Sequence, residues 1–297
     1  MSNPHSELRS LLLDADLARL GFRPEDASEF HQLAHSLDTR TGMAEQVDTV
    51  GQRMRAQIGD LDAGDQAVSQ VNDPSHPEDG LIALMALVSV ADDVHREHIR
   101  RGIPDGISWR SLSDLGQQVH IHRLVHGVFG LRSQSWCASN YTGRHLWLGR
   151  LQFTLQRDRD HATHGRDTHV LGVHVPESGP LTPEEVDESL DMAQRMALPA
   201  FADHKPHVIT LHSWLLDPGI NARIDPQSNL AKFTRRFELY GGHTDAFRDA
   251  LFFGFHIEPR GKDLDFDALP KATSLQRAII NQLKSGGIGL YSGTLKE

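Results

Sequence analysis

The sequence predicts a mixed α/β (α+β) protein, in which an N-terminal helical bundle is followed by a mixed β-sheet flanked by helices. Apolar residues recur at the spacing of an amphipathic helix through most of residues 6–72. After Gln134 the apolar period shortens toward that of strands, and beyond His169 strand-like and helix-like stretches follow each other. We therefore expect three parts: an N-terminal helical domain at 1–72, connecting helices at 73–133, and a domain built on the sheet at 134–297.

Composition limits the partners and the compartment. The chain has 297 residues and a formal net charge of -10, without a basic run that could follow a phosphate backbone, so nucleic acid is not expected as a partner. The single cysteine and the polar first residues predict a cytoplasmic protein without a disulfide framework. The longest apolar stretch, Leu81 to Ala91, is too short to cross a bilayer and predicts a core helix. We expect no membrane partner, and a monomer or homodimer.

Helix signals run through the first half of the chain. Pro24 opens a helix, another covers residues 43–58, and a long apolar one ends at Gly102. The segment 63–80 is rich in Gly, Pro, Asp and Ser, which is typical of a linker. The spacing of apolar residues over 109–128 predicts one further helix.

Strand signals dominate the second half. Residues 134–155 predict two antiparallel strands joined near Gly143. Apolar runs at 169–175 and 207–215 flank a helix, which favours parallel strands joined by a right-handed crossover. The remaining predicted elements are a helix that begins in SNLAKFTRRFEL with Ser228 as its cap, strands at 237–240 and 248–257, and a last helix from about Thr273 to Gly286.

The connection after the first of these runs is the most informative stretch. The strand at 169–175 stops at Pro176. Thr182 then occupies an N-cap position, Pro183 is the first helical residue, and Glu185 completes a capping box. The loop therefore places backbone N–H groups and the positive end of a helix dipole beside a sheet edge. This combination predicts an anion site.

Histidines are unusually frequent, at 19, and the densest group is His120, His122 and His126. Histidine is the usual metal ligand in proteins. On a helix, His122 and His126 share one face while His120 points elsewhere, so at most two of these side chains meet one metal ion. A metal-dependent hydrolase that uses this group is one alternative function for the chain.

Five stretches of the sequence carry a family resemblance. They are WLGRLQF at 147–153, VHVPESGPLTPEEVDESLDMA at 173–193, SWLLDP at 213–218, SNLAKFTRRF at 228–237 and LPKATSLQRAI at 269–279. In these stretches the chain resembles the bacterial GNAT-like acyltransferase family, whose members place an N-terminal helical domain before a domain similar to the GNAT acyltransferases. The resemblance implies acyl-CoA as the donor substrate and no metal.

The resemblance also implies where the donor binds. GNAT enzymes hold acyl-CoA where two parallel strands splay apart, with the pyrophosphate on a loop and the start of a helix. By resemblance, 169–175 and 207–215 are those strands and 176–182 is that loop. Pro180 has no N–H to donate, so another thioester carrier stays open as the donor. The donor-binding residues implied are Val175, Ser178, Gly179, Leu181, Thr182 and Asn229.

Acyl transfer by direct attack needs a deprotonated amine, a polarised thioester carbonyl and a proton for the leaving thiolate. The candidate bases nearest the expected cleft are His174, Glu177 and His212. Tyr240 is the candidate acid, because GNAT enzymes often place a tyrosine after the corresponding helix. We therefore expect an N-acyltransferase that moves an acyl group from acyl-CoA, or another thioester, to a small amine. A non-catalytic binding protein on a degenerate GNAT fold is the second alternative.

Overall fold

Two compact units, Met1–Trp147 and Leu148–Glu297, make up the chain. The computed structural model describes residues 4–40, 42–68, 80–158, 168–259 and 264–296. Most of the expected linker at 63–80 lies outside the described residues. Within the described ranges, no helix combines the length and the apolar character that crossing a membrane requires.

The first unit is helical up to its last residues. Its helices are α1 (Pro4–Asp14), α2 (Pro24–His35), α3 (Met43–Gln57), α4 (Leu81–Arg100), α5 (Asp105–Leu112), α6 (Asp114–His126) and α7 (Gln134–Asn140). Pro24 occupies the first turn of α2, where the missing N–H breaks no helical hydrogen bond. The helices expected at Pro24 and over 43–58 are thus confirmed.

Helix α4 is the centre of this unit. Every residue from Leu81 to Ala91 is buried, which confirms the predicted core helix. Apolar residues of α1, α2, α3 and α7 belong to the same core, so helices from both sides of residue 72 bury one another. The boundary between the compact units lies at 147/148, and the finer division at residues 72 and 133 remains a prediction.

Two expectations for this region are wrong. The single helix over 109–128 is interrupted at Ser113, which separates α5 from α6. Residues 134–140 form the helix α7, because Cys137 and Ala138 bury against the core while the stretch is too short for its period to separate helix from strand. The strand connection consequently lies after Leu148 and not near Gly143.

The second unit is built on a sheet whose strands are ordered β1-β2-β3-β4-β6-β5, with β1 starting before the unit boundary. The strands are β1 (His145–Leu148), β2 (Leu151–Arg157), β3 (His169–His174), β4 (Ile209–Ser213), β5 (Phe237–Asp245) and β6 (Gly289–Leu295). The helices are α8 (Pro183–Met192), α9 (Leu198–Ala200), α10 (Pro218–Asn221), α11 (Asn229–Thr234), α12 (Phe247–Phe255) and α13 (Ser274–Ser285).

The sheet is mixed. Strand β3 lies antiparallel to β2 and parallel to β4, which confirms the parallel pairing predicted for 169–175 and 207–215. Strand β6 lies antiparallel between β4 and β5. An α+β fold with a mixed sheet flanked by helices, as the sequence predicted, is therefore what the chain adopts.

The end of the chain differs from expectation in two elements. Residues 247–255 form α12 and not a strand, because Ala250, Leu251 and Phe255 bury one helical side. Strand β6 was not predicted at all. The last helix is confirmed, with Thr273 and Gln276 forming a capping box and Gly286 at the C-cap.

Candidate active site

Strands β3 and β4 part at their carboxyl ends. Their last paired residues are Val173 and Leu211, and within the described residues no later pair joins the two strands. Beyond that point His174 pairs with Gln152 on β2, whereas His212 pairs with Ser292 on β6. Each strand continues beside its outer neighbour, and the end of the β3–β4 ladder is the place where an extended ligand backbone would add.

The loop at 176–182 leads from the end of β3 into α8. Thr182 caps the helix, with its side-chain oxygen 3.3 Å from the backbone nitrogen of Glu185. The Thr182 hydroxyl also donates to the Glu185 carboxylate at 2.8 Å. Gly179 has φ of +127°, a left-handed value that glycine adopts without strain. Ser178 and Gly179 are exposed, while Leu181 and Thr182 are half-buried.

Arg150, a residue that was not singled out from the sequence, holds this loop. Its guanidinium donates to three loop carbonyls, those of Pro176 at 2.9 Å, Gly179 at 2.7 Å and Pro180 at 2.9 Å. Burial lowers the pKa of Arg150, and the negative charge of Glu185 opposes that shift. The guanidinium stays charged, since arginine loses its proton only in strongly basic solution.

Glu177 lies at the start of the loop and contacts the end of α12. Its carboxylate Oε2 is 2.9 Å from Nε2 of His256, which follows that helix with φ of +54°. Both side chains are partly open to solvent. The carboxylate proposed as a base therefore also joins the loop to α12.

His212, Ser292 and Tyr240 come together across three strands. The His212 Nδ1 lies 2.8 Å from the Ser292 hydroxyl oxygen. Tyr240 pairs with the same Ser292 from the other side, just before a bulge in β5. His212 is exposed and Tyr240 half-buried, so two of the predicted catalytic residues are strand neighbours of Ser292 at an accessible part of the sheet.

Two carboxylates near this group were not expected from the sequence. Burial raises the pKa of Asp249, the negative charge of Asp245 raises it further, and the positive form of His212 acts in the opposite direction. Asp249 lies in the first turn of α12. Because the sequence analysis predicts a strand for that segment, it does not bring Asp249 close to His212.

A cavity of about 450 Å³ lies where β5 ends and β6 begins. Asp217 lines it, but one of its oxygens accepts from the backbone nitrogens of Gly219 and Ile220, and the other accepts from Gly289. The cavity is also lined by side chains that carry rings, an amide, a hydroxyl and a second carboxylate: His243, Thr244, Asp245, Gln282 and Tyr291. The rings of His243 and Tyr291 stack with centroids 4.7 Å apart.

The remaining predicted residues take these places. His174 ends β3 and is half-buried, and Val175 follows it against a hydrophobic cluster of the second unit. Asn229 is the first residue of α11, and its neighbour Ser228 supplies the cap by accepting from the Ala231 nitrogen at 3.2 Å. Helix α11 contacts α8, which follows the loop.

The histidine group of the first unit has the arrangement that helix spacing predicts, with His122 and His126 together and His120 apart. The rings of His122 and His126 are 4.5 Å apart between centroids. Among the described residues, His120 instead falls within 4.8 Å of carboxylates of Glu25 and Asp26. Asp26 already accepts from the Arg123 guanidinium at 2.6 Å, a positive charge that opposes a metal ion there. The geometry therefore does not favour the hydrolase.

A parallel strand pair that splays next to a loop and a helix start defines a GNAT-like acyltransferase fold. Residues 146–295 match the GNAT-like C-terminal domain, and residues 12–143 match the N-acyltransferase N-terminal domain. The chain belongs to this family of GNAT-like N-acyltransferases.

Solved structures agree with this assignment. An acyltransferase in complex with decanoyl-CoA and teicoplanin is 30% identical, with a TM-score of 0.81 over 98% of this chain and 93% of that one. A mutant acyltransferase in complex with octanoyl-CoA is 29% identical, with a TM-score of 0.80 over the same shares. A further acyltransferase with decanoyl-CoA is 25% identical, with a TM-score of 0.78 over 94% of this chain and 85% of that one. A search among curated proteins gave no significant match.

Proposed function

We propose that the protein transfers an acyl chain from acyl-CoA to an amine of its acceptor by direct attack. The observation that carries the proposal is the parting of β3 and β4 after Val173 and Leu211, beside the loop and the start of α8. The pantetheine arm would add beyond the last β3–β4 pair, Val173 and Leu211, and the diphosphate would lie against the loop. Structures of the relatives with octanoyl-CoA and decanoyl-CoA support a medium-length acyl chain.

The reaction needs one proton taken from the amine and one given to the thiolate. The amine nitrogen bonds to the thioester carbonyl carbon, the C–S bond breaks, and the acyl group stays on nitrogen. We assign the base to His212, since it lies beside the parting strands with Ser292 on its Nδ1. The negative charge of Asp249 would stabilise the imidazolium that forms. Tyr240, across Ser292, would return a proton to the thiolate.

The acceptor amine would enter through the cavity of about 450 Å³. Asp245 lines that cavity and lies close enough to Asp249 to raise its pKa, so the two carboxylates would attract an ammonium group. The stacked rings of His243 and Tyr291 offer an apolar face to the rest of the acceptor. A cavity of this size suits a small amine or one amine-bearing part of a larger molecule such as teicoplanin, which the relatives bind.

The test is an acyl-transfer assay with octanoyl-CoA and decanoyl-CoA as donors. Teicoplanin and a panel of small primary amines serve as acceptors, free thiol reports CoA release, and mass spectrometry identifies the product. We expect acceptor-dependent CoA release and a product heavier by the acyl group. CoA binding without release, for every acceptor, would instead favour the binding protein on a degenerate GNAT fold.

A further inference from the structure

The Arg150 side chain holds one side of the loop at 176–182 by donating hydrogen bonds to the carbonyl groups of the loop. The carbonyls of Pro176, Gly179 and Pro180 all point at its guanidinium, with distances of 2.7 to 2.9 Å. In a planar trans peptide the carbonyl and the following N–H point in opposite directions. The N–H groups of Glu177 and Leu181 are therefore directed to the opposite side of the loop, away from Arg150.

Arg150 is itself held at its backbone. The Ser189 hydroxyl oxygen accepts from the Arg150 nitrogen at 2.8 Å and donates to the Glu185 carbonyl at 2.8 Å. Gly149 precedes Arg150 with φ of +61°, and a Cβ at this glycine would lie 2.8 Å from the Ser189 oxygen. The turn between β1 and β2 is thus built against α8, and it delivers Arg150 to the loop in one position.

The charge of Arg150 is not neutralised by direct contact. Its side chain donates only to neutral carbonyl oxygens among the described residues. The residue is 9% exposed, and a cation taken out of water is costly unless an anion compensates it. The carboxylate whose charge acts on Arg150, that of Glu185, is exposed and accepts from Thr182. An anion on the other side of the loop would complete this arrangement.

We propose that Arg150 is the positioning residue for the donor's diphosphate, an inference that rests on the proposed acyl-CoA function. It aligns the loop by its carbonyls, so that the N–H groups face the ligand, and it places a positive charge behind them. This mechanism gives an anion site to a loop that has a single glycine and contains Pro180. In a glycine-rich anion-binding loop the glycines let the backbone N–H groups face the ligand. In this loop the buried Arg150 side chain orients them.

The experiment compares ligands with and without the diphosphate. Calorimetry measures the Kd of CoA and of pantetheine for the unaltered protein, Arg150→Met and Arg150→Lys. We expect Arg150→Met to weaken CoA binding by about tenfold or more and pantetheine binding by less than about twofold, because only CoA carries the charge that Arg150 attracts. Lysine keeps the positive charge but not the planar guanidinium group. The Kd of Arg150→Lys for CoA should therefore lie between those of the unaltered protein and Arg150→Met.

Controls separate this role from a structural one. Arg195→Met removes an exposed arginine of the π-helical turn after α8 and should leave both Kd values unchanged. Ser189→Ala loosens the backbone of Arg150 without removing charge and should weaken CoA binding by a smaller factor than Arg150→Met. Equal losses for CoA and pantetheine, or none for either, would overturn the inference. CoA binding that depends on Arg150 in a protein without acyl transfer would refute the proposed function and leave the inference standing.

Discussion

Histidines in the two units differ in what surrounds them: one group is buried, whereas the histidine that we propose as the base is exposed. His98 and His145 of the first unit are 1% and 3% exposed and line a cavity of about 10 Å³, which is too small for a substrate. His212 of the second unit is exposed beside the parting strands. A high histidine content therefore does not by itself indicate a catalytic residue, because most of the difference between these side chains is their access to solvent.

The buried histidines His98 and His145 should make the stability of the first unit sensitive to acid, and this is the largest effect that we expect. Burial lowers the pKa of His98 and of His145 to about 3, from a usual value of 6.5. Both rings are neutral in the folded protein, but the unfolded chain takes up protons below pH 6.5, so stability is full above that pH and falls as the pH drops toward 3. Each histidine lowers the free energy of unfolding by up to about 1.4 kcal/mol per pH unit, which amounts to about 4 kcal/mol for the pair between pH 8 and pH 5.

Urea unfolding between pH 8 and pH 5 measures this slope. His98→Gln should roughly halve it, whatever the variant does to stability at pH 8. The same change at His35, which is exposed on α2, should leave it unaltered. A free energy of unfolding that is constant from pH 7 to pH 5 would contradict the assignment of the pair as buried neutral groups.

Beside the end of the β3–β4 pair, His212→Ala should lower turnover. Loss of a general base lowers kcat by about 100-fold or more, while the KM for octanoyl-CoA should change by less than about threefold. His98→Gln is the matched change in the sealed region and should keep kcat. If His212→Ala retains full turnover with an acceptor that the unaltered protein acylates, the base lies elsewhere, and His174 or Glu177 becomes the next residue to replace.

Glycines extend the same comparison from side chains to backbone. Gly21 has φ of +79°, and a Cβ there would lie 2.3 Å from the Ser113 carbonyl oxygen. Gly179 has φ of +127°, and a Cβ would meet nothing within 4 Å. Gly21→Ala should therefore cost about 3 kcal/mol of stability through overlap and strain, against about 1 kcal/mol for Gly179→Ala.

Donor affinity should show the reverse order. Gly179→Ala shifts the loop that faces the donor, so we expect weaker CoA binding, whereas Gly21→Ala should leave CoA binding unchanged in the fraction that folds. Thermal unfolding and calorimetry give the two quantities. Equal stability losses at the two glycines would mean that the loop is packed as tightly as the interior.

The sequence predicted those parts of the fold that local signals determine. The proline at the start of α2, the apolar run of α4 and the cap at Thr182 each specify an element through neighbouring residues. The parallel pairing of β3 and β4 followed from the order strand, helix, strand.

The sequence failed where distant contacts decide. Residues 247–255 are rich in phenylalanine, which suits strands and helices alike, and only burial against other elements makes them helical. Arg150 and Asp249 acquire their surroundings from segments far along the chain, Arg150 from the loop after β3 and Asp249 from His212. Arg150 lies within WLGRLQF, one of the stretches that carry the family resemblance, but no spacing rule in the sequence indicates its three carbonyl partners.

The smallest effect that we expect distinguishes a helix cap at the proposed donor site from a helix cap elsewhere in the second unit. Thr182 caps α8 at the end of the loop at 176–182, and Thr273 caps α13 in a complete capping box with Gln276. Replacing either threonine by alanine removes one helix-capping hydrogen bond and should cost about 1 kcal/mol of stability. Only Thr182→Ala should also weaken CoA binding, by about two- to fivefold, because the loop that ends at Thr182 loses an anchor. Calorimetry on both variants with CoA and pantetheine measures this, and if Thr273→Ala lowered CoA affinity as much as Thr182→Ala, the effect would be a general loss of stability and not a property of the loop.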